Sequence, residues 1–131
     1  MTARKAHRRR GVAATELAIL MPVFGFFVGV VADYSRLYYA LATLSDTARA
    51  GAVYYATNYT TATVANVKAV AQGDATNLPT LPTITAATGT DSTGNIYVKV
   101  TASYTFTTLV PHPGIPSPIV LSRKVIMMVN P

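Results

Sequence analysis

Hydrophobic and polar positions fall into two regimes along the chain. From Val12 to Ala32 apolar side chains run almost without a break, interrupted chiefly by Thr15 and by one carboxylate, Glu16. Beyond Ala32 the run becomes periodic: Tyr34, Leu37, Leu41, Leu44, Ala48, Gly51 and Tyr55 recur at alternating steps of three and four. That spacing aligns them on one face of a helix, a heptad-like seam. No proline occurs from Val23 to Ala56. The pattern predicts one rod from about Ala13 to Ala56, with a kink expected at Pro22, whose ring displaces the carbonyl of Ala18. On the more polar side, Asp33 with Arg36 and Asp46 with Arg49 stand three residues apart, and each pair is expected to add a few tenths of a kcal/mol to the helix.

After Ala56 the period changes. Thr61 to Gln72 places Val64, Val67, Val70 and Ala71 near one face of a short helix, weakened by its threonines and valines. Asn77 to Pro82 reads as a loop, Thr83 to Ala87 as a brief strand and Gly89 to Asn95 (GTDSTGN) as turn chemistry. Ile96 to Thr107 alternates cleanly, with Ile96, Val98, Val100, Ala102, Tyr104 and Phe106 on one face and Tyr97, Lys99, Thr101, Ser103 and Thr105 on the other. Pro111 to Pro118 (PHPGIPSP) cannot join a sheet ladder, and Ile119 to Val129 reads as a final strand. Three strands with one apolar face do not stand alone in water. The nearest long apolar surface is the rod, so the predicted fold is α+β: a long N-terminal helix packed on a small antiparallel sheet of about three strands, with one short extra helix.

Charge changes the picture at the N-terminus. The net charge is +6, but Arg4, Lys5, Arg8, Arg9 and Arg10 precede the apolar run and leave six basic against five acidic residues in the rest of the chain. No basic surface remains to follow a phosphate backbone, so nucleic acid is not an expected partner. The 21 residues from Val12 to Ala32 make about 32 Å of helix, enough to cross a hydrocarbon core of about 30 Å. The flanking cluster of Lys and Arg places the N-terminus in the cytoplasm, with the rest exported. A cleavable secretory signal ending at Val30-Val31-Ala32 is the rival reading. Against it stand the length of the run, the charge inside it and a helical pattern that continues past the cleavage point.

Candidates for chemistry are few. With no cysteine there is neither a disulfide framework nor a thiolate metal site. His7 and His112 lie far apart with no acid close by, and Ser, His and Asp occur in no nucleophile-elbow setting, so neither metal, cofactor, small-molecule substrate nor catalysis is expected. Gly25 and Gly29 match GxxxG, which permits close helix approach in a membrane. Asn58-Tyr59-Thr60 is a formal glycosylation sequon to which no role is attached. Tyr38, Tyr39, Tyr54 and Tyr55 on the outer rod are read as packing residues.

RRRG followed by VAATE, an apolar run holding Pro22, DYSRLYYA from Asp33 and ARAGA from Ala48 together resemble the TadE-like pseudopilins, minor subunits of tight-adherence (Tad, type IVc) pili. The resemblance covers about the first 56 residues and implies a structural protein of a pilus used for surface adherence. It implies that a prepilin peptidase at the cytoplasmic face cuts after Gly11 to leave Val12 first, with Glu16, the fifth mature residue, as part of the signal. The organisation expected is then a cleaved leader over 1–11, a transmembrane helix over 12–32, an exported helix extension over 33–57 and a periplasmic or extracellular head over 58–131. The implied partners are the peptidase, other pilins and an inner-membrane assembly platform, and the implied location is a bacterial inner membrane crossed once, with later incorporation into an extracellular pilus. Leu37, Leu41, Leu44, Ala48 and Gly51 are the expected helix-packing residues of the outer rod, and Gly25 and Gly29 those of the membrane half. The alternative is a signal-anchored exported binding module that never polymerises. A mere anchor has no use for the Gly11 and Glu16 pair.

Overall fold

The three-and-four spacing becomes a single helix, α1, in a computed structural model that describes the backbone of residues 3–110 and 115–129 and the side chains from Gly11 onward within them. Helix α1 runs over Ala3–Thr57, 55 residues, or about 80 Å at the α-helical rise. It begins ten residues earlier than the apolar pattern predicts, because Ala, Lys and Arg are strong helix formers whatever their polarity. It continues as helix through Pro22. At its far end Asn58 caps the chain: its backbone N–H and its side-chain amide donate to the Tyr54 carbonyl at 3.1 and 3.0 Å.

Helix α2, Val64–Asp74, starts three residues later than predicted, because the Thr63 hydroxyl accepts from the Asn66 N–H at 3.2 Å and makes Thr63 the N-cap. Only Val67 and Ala71 are buried, while Val64 and Val70 face solvent. Strands β1 (Thr83–Thr90), β2 (Ile96–Phe106) and β3 (Ile119–Met128) form one antiparallel sheet in the order β1-β2-β3. The β1 strand exceeds its predicted span because the ladder carries Thr88, Gly89 and Thr90 along opposite Val98, Tyr97 and Ile96. Pairing with the neighbouring strand overrides the poor strand propensity of Gly89.

The alternation in β2 is realised, with Val98, Val100, Ala102 and Phe106 buried on the face toward α1. Ala102 pairs with Ile84 on one side, and Tyr104 with Leu121 on the other. On α1 the buried stripe is Ala40, Thr43, Leu44, Thr47, Ala48, Gly51 and Ala52. It shares Leu44, Ala48 and Gly51 with the expected seam but is rotated from it: Leu37, Leu41 and Tyr55 are only half-buried and Tyr34 is 68% exposed. The reason is steric. Sheet and α2 both press on the same stretch of α1, and small side chains let them approach. A Cβ on Gly51 would meet the Ala71 Cβ at 3.2 Å, a Val67 methyl at 3.3 Å and a Val100 methyl at 3.4 Å. Tyr54 and Tyr55 pack on the rim of this core, whereas Tyr38 and Tyr39 are exposed.

Thr47 is fully buried and its hydroxyl has no hydrogen-bond partner. An unpaired buried hydroxyl costs about 1–3 kcal/mol. Thr47→Val keeps the shape and removes that cost, so it should raise stability by about 1 kcal/mol, read as a later urea midpoint with an unchanged slope for the chain in detergent. In the β1–β2 turn, the Asp91 carboxylate accepts from the Thr93 N–H at 2.8 Å, the Thr93 hydroxyl at 2.7 Å and the Asn95 N–H at 2.9 Å. The Thr93 hydroxyl first, and then the Asn95 N–H, hold its pKa below the ordinary value. A lowered native pKa means that the turn's support is complete above the unfolded-state value and fades as pH falls through the native one. An NMR titration of the Asp91 carboxyl should give a midpoint below that of an unstructured aspartate, and Thr93→Ala should move it upward.

Candidate functional site

The part of α1 from Gly11 to Val28 is exposed at every residue. Leu17, Ile19, Leu20, Met21, Phe24, Phe27 and Val28 present their side chains outward, each about half or more exposed. The helix is long and apolar enough to cross a membrane. Its two polar residues are handled differently. Thr15 satisfies itself, donating to the Val12 carbonyl at 2.8 Å, one turn back. Glu16 is exposed and makes no hydrogen bond or ion pair among the described residues. Gly11 and Val12, the expected processing position, lie exposed on the same helix one turn below it.

The structure separates the two glycines of GxxxG. Gly25 has open space where a Cβ would stand, while at Gly29 a Cβ would lie 2.9 Å from a methyl of Val110 in the head. Gly29 thus admits the segment that follows β2 against α1. Farther along, Leu37 and Leu41 flank the core and Leu44, Ala48 and Gly51 lie within it.

The residue that joins the two parts is Asp33, only 4% exposed. Its Oδ1 and Oδ2 accept from the Leu109 N–H at 2.8 and 3.0 Å, and Oδ2 accepts from the Val110 N–H at 3.2 Å. Arg36 adds a 3.2 Å ion pair from the helix and lays its guanidinium 5.3 Å from the centre of the Phe106 ring, a cation–π contact of about 0.5–1 kcal/mol at such a partly exposed site. The expectation that Asp33 sits on the polar side of the rod is therefore corrected. It pairs with Arg36 as spaced, but its main role is to hold the backbone of a loop 76 residues away. The expected pair between Asp46 and Arg49 does not form; Asp33 with Arg36 is the one ion pair among the described residues. Local spacing finds the Arg36 partner, whereas nothing local in the sequence encodes the Leu109 and Val110 donors.

No cluster of His, Cys, Asp or Glu suited to a metal occurs among the described residues. The His7 side chain and all of His112 lie outside them. Asn58 of the formal sequon is engaged as the cap of α1.

Residues 11–53 match the family described as TadE-like protein. The match covers the rod from Gly11 through most of α1 and stops before the head begins. No curated protein and no solved structure matches the chain.

Removing the carboxylate that joins rod and head should uncouple them. Asp33→Ala leaves the Leu109 and Val110 N–H groups without their acceptor, and a hydrogen bond to a charged group contributes about 1.5–3 kcal/mol. Hydrogen exchange should accelerate strongly at the Leu109 and Val110 amides while that of Val100, in the sheet centre, stays protected; equal acceleration at all three would mean that Asp33 supports the whole fold and not the junction.

Proposed function

We propose that this chain is a pilin-like structural subunit acting in the assembly or function of a Tad (type IVc) pilus. The observation that carries the reading is the TadE-like match over residues 11–53 on a helix whose first 18 of those residues, Gly11–Val28, are all exposed. Such a surface needs lipid before assembly and other helices afterwards. In this reading α1 crosses the bacterial inner membrane once with its basic end in the cytoplasm, and the prepilin peptidase removes residues 1–11.

Cleavage after Gly11 removes five basic side chains and creates an ammonium on Val12. Once subunits leave the bilayer and stack their rods, that ammonium is buried among apolar neighbours, where an unpaired charge is costly. Glu16 supplies the partner, from its own or an adjacent chain. The roles are structural: Gly11 and Val12 for processing, Glu16 for assembly, and the exposed face of Gly11–Val28, including Gly25, for contact with other pilins and the assembly platform. The head presents the subunit outside the membrane.

The test has two parts. N-terminal sequencing of the protein from cells should begin at Val12; a start at Met1 or at Asp33 rejects the prepilin reading. Glu16→Ala should leave export and the head's fold intact yet remove the chain from sheared pili by mass spectrometry. Normal incorporation of that variant would favour the non-polymerising anchored module.

A further inference from the structure

We propose that the cleft between α1 and the loop joining α2 to β1 is a carbohydrate-binding site, shaped for one neutral pyranose ring at the end of a glycan. Such a site adds a binding activity to the structural role proposed above and does not depend on it. The cleft has a volume of about 330 Å³, and its walls include Arg36 and Tyr39 of α1, Asn77 and Pro79 of the loop, and Tyr104 and Phe106 of β2. Small-ligand sites span about 300–1,000 Å³, so this one lies at the low end. One ring fits it, whereas an extended peptide needs a longer track.

A pyranose presents C–H groups on its flat face and hydroxyls round its rim, and the lining answers both. Tyr39 is 52% exposed, and the negative face of its ring suits C–H groups that carry partial positive charge. Tyr104, packed against the core and half-buried, offers a second aromatic surface. Hydrogen-bonding groups stand beside these rings. Among the described residues, the Asn77 amide and the Tyr39 and Tyr104 hydroxyls have no hydrogen-bond partner. All three groups both donate and accept, as sugar hydroxyls do.

Charge decides which sugar. Arg36 is the one charged side chain on the described walls of the cleft, and the Asp33 carboxylate 3.2 Å away already answers it. An anionic ligand would have to compete with Asp33 for the guanidinium, so the cleft favours a neutral ring. The site is also preformed. Arg36 is held by that ion pair and by the Phe106 ring, whose centre lies 5.3 Å away. Leu78, buried in the core between Asn77 and Pro79, anchors the loop, and its N–H donates to the Ala75 carbonyl at 3.2 Å. Little is left to order on binding, which favours a small ligand.

Saturation-transfer-difference NMR tests the site on the full-length chain in lauryldimethylamine oxide, a detergent without a sugar headgroup. The probes are methyl β-glucoside, N-acetylglucosamine, glucuronate and triproline. Ligands of so few atoms bind with dissociation constants on the order of millimolar. At least one of the two neutral sugars should receive saturation, and glucuronate should bind no more tightly. Tyr39→Ala should weaken the binding about tenfold, the upper range of an aromatic contact. Tyr39→Phe should cost less, and Asn77→Ala should weaken binding through the lost amide. Tyr38→Ala, next along the helix but outside the cleft, should leave it unchanged. All of these side chains are exposed, so circular dichroism should match the parent in every variant. No transfer to either neutral sugar overturns the proposal. So does binding that survives both Tyr39→Ala and Asn77→Ala, since the sugar would then sit elsewhere. Preference for glucuronate would mean that the Arg36 and Asp33 pair opens to an anion, and a response to triproline alone would mean a peptide site; either result rejects a neutral-sugar site.

Discussion

One helix has to support a sheet that cannot support itself, and the rest of the structure follows from that constraint. Three strands with a single apolar face have no stability alone, and α2 offers only Val67 and Ala71 to a core. Stretches of α1 that a hydrophobicity ranking would discount supply the remainder. Ala40, Ala48, Gly51 and Ala52 are small enough for two elements to reach the helix axis together, and close packing, not side-chain size, is what converts buried area into stability. The large side chains nearby, Leu37, Leu41 and Tyr55, act as walls at the sides of the contact.

The same helix then leaves this core and, with no break in its backbone, continues as a stretch long and apolar enough to cross a membrane. The change is abrupt: Asp33 is buried against the head, a methyl of Val110 lies over Gly29, and from Val28 downward every described side chain of the helix is exposed. A carboxylate at that boundary performs a task that an apolar residue could not. It lets a strand end without an open hydrogen-bond edge, because the N–H groups that follow β2 find acceptors on the rod instead of water. Head orientation relative to the helix is thereby set by directional bonds in addition to the non-directional contact of the core.

Much of this was legible in the sequence, and the part that was not has a common cause. Period two in Ile96–Phe106, the turn residues of Gly89–Asn95 and the unbroken apolar run each report a local requirement of backbone or solvent, and the elements form close to where those patterns place them, with Gly89 and Thr90 drawn into β1. The α+β architecture followed, because a half-apolar sheet had only one surface to use. The rotation of the buried stripe toward Thr43 and Thr47 was hidden, since it depends on two elements converging on one helix. Asp33 was hidden more completely: three residues from Arg36 and next to the apolar run, it has the local signature of a solvated helix surface, and its partners at Leu109 and Val110 are distant in the chain. For the inner half of α1, the roles expected of Gly11, Val12 and Glu16 rest on the resemblance alone, since a lone subunit gives these residues no described partner.

The two carboxylates at either end of the apolar run pose the same physical problem and meet it differently. A charge near or within lipid needs compensation by hydrogen bonds, by an ion pair or by reach to water. Asp33 finds its compensation within the chain, from two backbone N–H groups and Arg36, and so belongs to the permanent structure of the subunit. Glu16 makes no such contact among the described residues, although it sits deeper in the run, where compensation matters more. A charge kept uncompensated in the isolated subunit is a cost unless another state repays it. The apolar face around Glu16 is likewise without cover, so charge and surface lack partners on the same stretch of helix, and one event can satisfy both. Burial of that stretch against neighbouring helices, with an ammonium brought within reach of Glu16, is such an event. The division of labour along α1 then follows from where each acid finds its partner: the outer half is completed by its own head, and the inner half, on the proposed reading, by other chains.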